Sequence, residues 1–260
     1  MSELAAMLAD SAVLARRNLV RSRRLPGLLL LATGQPVAVA LFLGYVIGPV
    51  LALPGVVYRD FLLPGVFTQA VMFAAGLTAV GLAQDRRGGA LDRFRALPVS
   101  RWSVLLGHVG ANLCPQLLAV AATAATAAVM GWRIETGAAR AAAGFAVLLA
   151  FGQAVAWVSV MLGLAARTPV RARRLGLAWT YPFVLVSCAF LPTGDLPGWL
   201  RPIAQHNPVS VVATALRALW LEPGPLAPRT LAPALLWTAA LLALTVPTAH
   251  RLLSRRGSGR

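Results

Sequence analysis

Gln84–Trp102, QDRRGGALDRFRALPVSRW, interrupts two long apolar runs with five arginines (Arg86, Arg87, Arg93, Arg95, Arg101), two aspartates (Asp85, Asp92) and one large apolar residue, Phe94. The flanking runs, 61–83 and 104–130, are each long enough to cross a bilayer as a helix, because about 20 residues at 1.5 Å rise span roughly 30 Å of hydrocarbon. The stretch is therefore a connector between two membrane helices. A connector that only meets water has no need of Phe94. Gly88 and Gly89 break the chain, residues 90–97 suffice for about two helical turns, and Pro98 closes them. Phe94 between Arg93 and Arg95 offers an apolar anchor with cationic flanks to a groove on a soluble partner; the plainer alternative is a basic loop whose Phe folds back onto the membrane.

The rest of the chain agrees with a membrane setting. At 58% hydrophobic and 12% charged residues over 260 positions, with mean hydropathy +0.72, the composition is that of an integral membrane protein. The expected fold is all-α, with six transmembrane helices at about 27–48, 61–83, 104–130, 141–166, 175–191 and 231–249. Residues 1–24 precede this domain (25–260) as an amphipathic interfacial helix, with Leu4, Leu8, Ala12, Ala15 and Leu19 at spacings of three or four and five arginines toward its end. Between the last two spans, segment 192–230 is external and contains helices too short to cross. Asn207 and Pro208 form an N-cap and N1 pair, and the apolar helical spacing that follows runs until Glu222-Pro223-Gly224.

Arginine placement orients the chain. All 24 basic residues are arginine; 18 fall in the N-terminal segment, 84–102, 167–174 and the C-terminal tail, against 6 on the other side. By the positive-inside rule both termini and 84–102 are cytoplasmic. This explains the net charge of +16 without a nucleic-acid partner.

Several chemistries are disfavoured. Without lysine there is no G-x-x-x-x-G-K-[ST] phosphate loop. His108, His206 and His250 lack metal-ligand spacing, and Cys114 and Cys188 sit in apolar runs as small hydrophobes. The acidic residues are expected in loops or terminal segments, which weighs against an ion-coupled carrier. Polar positions within spans are Gln35 beside Pro36, Gln69, Tyr181, Gln153, and the series His108, Asn112, Gln116, whose spacing of four places them on one helical face. Gln35, Gln69, Asn112, Gln116 and Tyr181 are candidates for facing a path; interhelical hydrogen bonding is the alternative reading of each.

The strings GQPV (34–37), FLLPG (61–65), DRFRALPVSR (92–101) and PGWLRPIAQHNPVSVVATALRAL (197–219), in this order and spacing, resemble the membrane subunits of type-two ATP-binding-cassette exporters, in particular the daunorubicin-resistance permease family. The resemblance covers nearly the full chain. It implies a non-enzymatic subunit in a bacterial plasma membrane, paired with a second permease copy and with two cytoplasmic ATPases that bind the ATP and Mg. It further implies that 84–102 is the coupling loop, with Asp85, Asp92, Arg93, Phe94, Arg95 and Leu97 toward the ATPase, and that Trp199, Asn207, Pro208 and Arg217 belong to external helices restricting the exit. Many relatives have a Glu near the start of the coupling loop where this chain has Gln84 and Asp85. The expected function is efflux of a lipophilic or amphipathic small molecule; the alternatives are a non-transporting membrane scaffold and an ion-coupled carrier.

Overall fold

A computed structural model describes residues 3–23, 26–50, 57–90, 100–166, 168–190, 197–225 and 227–255. Among these residues the chain forms ten α-helices: α1 (Glu3–Arg23), α2 (Pro26–Phe42), α3 (Tyr58–Arg87), α4 (Arg101–Ala111), α5 (Leu113–Val129), α6 (Ala138–Ala165), α7 (Pro169–Leu185), α8 (Arg201–His206), α9 (Pro208–Trp220) and α10 (Pro228–Arg255). A turn of π-helix, Leu43–Ile47, prolongs α2.

Five helical stretches are long and apolar enough to cross a membrane: Leu29–Ile47, Tyr58–Arg87, Trp102–Val129, Ala138–Ala165 and Arg229–Leu253. The helix at the expected span 175–191 differs in its bounds. This helix, α7, starts six residues earlier because Thr168 caps it, its side chain accepting from the Arg171 N–H at 3.2 Å, with Pro169 at N1. Arg171, Arg173 and Arg174, expected in a loop, thus belong to the first turns of α7. Pro182 and the turn after Leu185 end the helix at 17 residues, shorter than the five spans.

Span 104–130 is interrupted at Asn112. Pro115 has no N–H to give the Ala111 carbonyl, and the Asn112 N–H bonds back to Val109 O at 3.1 Å in a tightened turn. The chain resumes as α5.

α3 is the central helix. It is apolar around its whole circumference, the pattern of a helix enclosed by others, and Leu62, Leu63, Val66, Phe67, Ala70, Val71 and Met72 are all buried. It packs against α2, α5, α6, α7 and α9. Close approach depends on missing side chains: a Cβ on Gly65 would strike the Ala189 backbone, and one on Gly163 would lie 2.8 Å from the Ala79 carbonyl oxygen. At one end of α3, Trp220 closes α9 over the bundle, with its ring 5.1 Å from Phe67, 5.0 Å from Phe145 and 5.7 Å from Trp132. Gly144 leaves space for that indole.

Helix α1 also turns a face toward the bundle. Ser11, Leu14 and Asn18 are buried, whereas Ala12 is exposed and Ala15 and Leu19 only partly covered. This buried face lies about one residue, roughly 100°, around the helix from the apolar line through Ala12, Ala15 and Leu19, and it packs on α4. Gly107 permits the contact: a Cβ there would lie 2.6 Å from Leu14 Cβ.

Candidate functional site

The interrupting stretch begins inside α3. Leu82–Arg87 continue the helix until Gly88 and Gly89, and Gly89 adopts φ +68°, a left-handed turn that suits glycine. The chain is described again from Ser100, whose hydroxyl caps α4 by accepting from Trp102 N at 3.2 Å. Residues 91–99, and with them Asp92, Arg93, Phe94, Arg95 and Leu97, lie outside the described residues.

What is described is how the two stems of this loop are held. Asp85 turns inward. It is 4% exposed, and one carboxylate oxygen lies 3.0 Å from His108 Nε2 on α4 and also accepts from Arg17 Nη2 on α1. The opposite His108 nitrogen, Nδ1, lies 2.9 Å from Val104 O. The next residue, Arg86, also points inward, donating from Nη1 to Leu164 O and Ala166 O, each at 2.9 Å. These are carbonyls at the C-terminal end of α6, where a cation is favoured. At the other stem, the Trp102 ring stacks on His250 of α10 at 4.5 Å and 11°. The loop therefore rises from a base that joins α1, α3, α4, α6 and α10. Asp60 and Asp85 belong to the first and last turns of the 30-residue helix Tyr58–Arg87, on either side of the expected span 61–83.

The five candidate path residues fall into two sets. Gln35 and Tyr181 line one cavity of about 130 Å³ between α2, α3 and α7, with Gly76 on its wall and Arg173 also lining it. Gln35 Oε1 has no hydrogen-bond partner among the described residues, and the Tyr181 ring meets Phe73 edge-on at 5.5 Å. Gln69, Asn112 and Gln116 are enclosed within the bundle instead. Gln116 accepts from Gln153 Nε2 at 3.3 Å, joining α5 to α6, while Gln69 Oε1 and both amide atoms of Asn112 have no hydrogen-bond partner among the described residues. His108, Asn112 and Gln116 share one inward side, as their spacing predicts, despite the break between α4 and α5.

The segment after α7 is tied back to the bundle. Asn207 caps α9 by accepting from Val209 N at 2.9 Å, and its amide donates to Phe183 O and Val186 O at the end of α7. Arg217 donates to Phe61 O at 2.9 Å and to Cys188 O and Ala189 O at 3.1 and 3.0 Å, with its guanidinium 3.8 Å from the Phe61 ring centroid. Burial pushes its pKa down to about 10, which leaves it charged at neutral pH. Trp199, by contrast, is well exposed. Residues 191–196, in the first part of the expected external segment, lie outside the described residues.

Arg17 and Arg86 were not singled out from the sequence. An arginine that reaches inward has the same local pattern as one that flanks a membrane. Among the described residues, no group of three His, Cys, Asp or Glu side chains could hold a metal ion.

Residues 11–221 match the model of the ABC-2 type transporter family. The chain is 32% identical over 185 residues to the daunorubicin resistance ABC transporter permease protein DrrB1 of Streptomyces coeruleorubidus, covering 71% of this chain and 65% of that protein. It is 27% identical over 180 residues to the probable doxorubicin resistance ABC transporter permease protein DrrC of Mycobacterium tuberculosis (strain ATCC 25618 / H37Rv), covering 69% and 64%. To the doxorubicin resistance ABC transporter permease protein DrrB of the same strain it is 26% identical over 201 residues, covering 76% and 70%. The alignments thus span just under two thirds of the length of the first two relatives.

Proposed function

This chain belongs to the ABC-2 type transporter family, and from that membership we propose that it is the membrane-spanning subunit of an ATP-driven exporter of lipophilic small molecules. The drug-resistance names of its relatives support this substrate class. ATP and Mg are held by a separate cytoplasmic ATPase, two copies of which serve two permease chains. The chain itself carries out no bond chemistry.

The observation that carries the mechanism is the braced base of loop 84–102. A load applied to the loop by an ATPase enters α3 and α4 together, because Asp85 and His108 are in contact, and reaches α1 through Arg17. Asp92, Arg93, Phe94, Arg95 and Leu97 form the docking surface, and Asp85 acts as a positioning residue behind them. Because α3 also lines the cavity bearing Gln35 and Tyr181, movement at the loop alters the cavity directly. In the full assembly α7 completes a six-helix arrangement, both termini face the cytoplasm, and α8 and α9 lie on the opposite side as a cover over the exit.

Co-reconstitution with a cytoplasmic ATP-binding-cassette ATPase that co-purifies with this chain tests the proposal. ATP-dependent accumulation of an anthracycline in proteoliposomes is expected. ATP-independent movement driven by an imposed proton gradient would overturn it in favour of an ion-coupled carrier.

A further inference from the structure

Between α1 and α5 runs an open groove of about 520 Å³ with almost no polar surface. Ala15 and Leu19 of α1 form one wall, Cys114, Leu117 and Ala121 of α5 the other, and Arg16 also lines it. Its origin is local: Gly107 holds α1 tightly against α4, and the break at Asn112 then starts a new helix that α1 does not follow. Small side chains, Ala15 and Ala121, keep the space open.

Arg16 and Arg17 divide two tasks. Arg17 reaches the buried carboxylate of Asp85, whereas Arg16 is exposed and has no acidic partner among the described residues. We propose that the groove binds one anionic phospholipid, with an acyl chain along Leu19, Leu117 and Ala121 and its phosphate on Arg16. An apolar trough left empty forfeits dispersion contacts on one side, and a flexible hydrocarbon chain recovers them. The guanidinium fork matches a phosphate and selects for negative charge. Further arginines on α1, Arg21 and Arg23, add to the positive field of this helix. The lipid fills the gap between the helix that braces the loop and the helix that carries Gln116, so it stabilises that pairing. The proposal rests on the reading of α1 as a helix at the membrane interface.

Native mass spectrometry of the full chain, titrated with phosphatidylglycerol or phosphatidylcholine of identical acyl chains, tests it. One phosphatidylglycerol per chain is expected with about fivefold preference, the equivalent of about 1 kcal/mol for one arginine near an anionic headgroup. Arg16→Gln is expected to abolish the preference; equal binding of the two lipids by the native chain, or an undiminished preference in R16Q, overturns the proposal. A second readout needs no variant. Cys114 lines the groove while Cys188 is buried, so modification of Cys114 by a lipid-soluble maleimide is expected to be slower in phosphatidylglycerol bilayers than in phosphatidylcholine, and equal rates count against the site. Neither measurement involves transport: a missing lipid preference with intact export rejects only the lipid site, and the converse rejects only the exporter.

Discussion

Asp85 and His108, 23 residues apart in sequence, meet at 3.0 Å across the base of the loop that separates α3 from α4. Both side chains are 4% exposed, and Arg17 of α1 completes the group. Three helices thus converge on one carboxylate immediately behind the segment proposed to receive force from an ATPase.

Removing that carboxylate takes away the acceptor that His108 Nε2 and Arg17 Nη2 share. Asp85→Ala is expected to destabilise the chain by about 3 kcal/mol, the low end for a broken buried pair because the Arg17 side chain is partly exposed and screened. His108→Gln should cost less, since an amide still donates to the carboxylate. Thermal stability followed by fluorescence size-exclusion in detergent gives the comparison. An Asp85→Ala chain that melts with the native one removes Asp85 from its bracing role.

Phe94→Asp is expected to weaken ATPase co-purification by about thirtyfold, equivalent to loss of an anchor contributing roughly 2 kcal/mol. The melting temperature of the isolated permease should hold, which separates docking from folding. Unchanged ATPase recovery contradicts the placement of the anchor.

Two glycines on α3 should respond oppositely to the same added methyl. Gly65→Ala forces a Cβ into the Ala189 backbone and is expected to cost about 1–3 kcal/mol, whereas at Gly76 nothing lies within 4 Å of the added atom. Gly76→Ala should be neutral or gain up to about 1 kcal/mol in helix propensity. Equal loss at both positions contradicts the packing of the 186–190 turn on α3.

Arg217→Lys is expected to destabilise the α9 attachment by roughly 1.5–3 kcal/mol. A lysine ammonium cannot reproduce the fork that reaches the Phe61, Cys188 and Ala189 carbonyls together. Faster proteolysis between α7 and α10 with the rest of the chain intact is the expected signature.

In the cavity, Gln35→Leu removes a buried amide oxygen that has no partner. Stability should hold or rise, because such an atom costs about 1–3 kcal/mol, while the anthracycline KM in proteoliposomes changes. An unaltered KM across several substrates would move the path away from this wall.

The sequence was legible wherever the cause was local. Asn207 and Pro208 start α9 as capping chemistry predicts, Gly88 and Gly89 end α3, and hydropathy locates the helices that became the five long stretches. Local signals failed where two forces competed. RTPVRARR (167–174) reads as a polar loop by charge, yet Thr168 and Pro169 make it a helix start; Asn112 sits at an unannounced break because Pro115 acts three residues downstream.

By itself, the sequence determined that this is an all-α membrane chain with one arginine-flanked aromatic loop, because hydropathy and charge act residue by residue along the chain. Only the tertiary structure decided which polar groups meet. Gln84–Trp102 shows two aspartates and five arginines with nothing to rank them, and the fold turned Asp85 and Arg86 inward, Asp85 onto helices α1 and α4 and Arg86 onto α6. The same is true of Gln35 and Tyr181, which share a cavity, and of Gln69, Asn112 and Gln116, which do not reach it. The physical reason is that a buried polar group is defined by its partners in space, and those are fixed by helix rotation and by the close approach that Gly65, Gly107 and Gly163 permit.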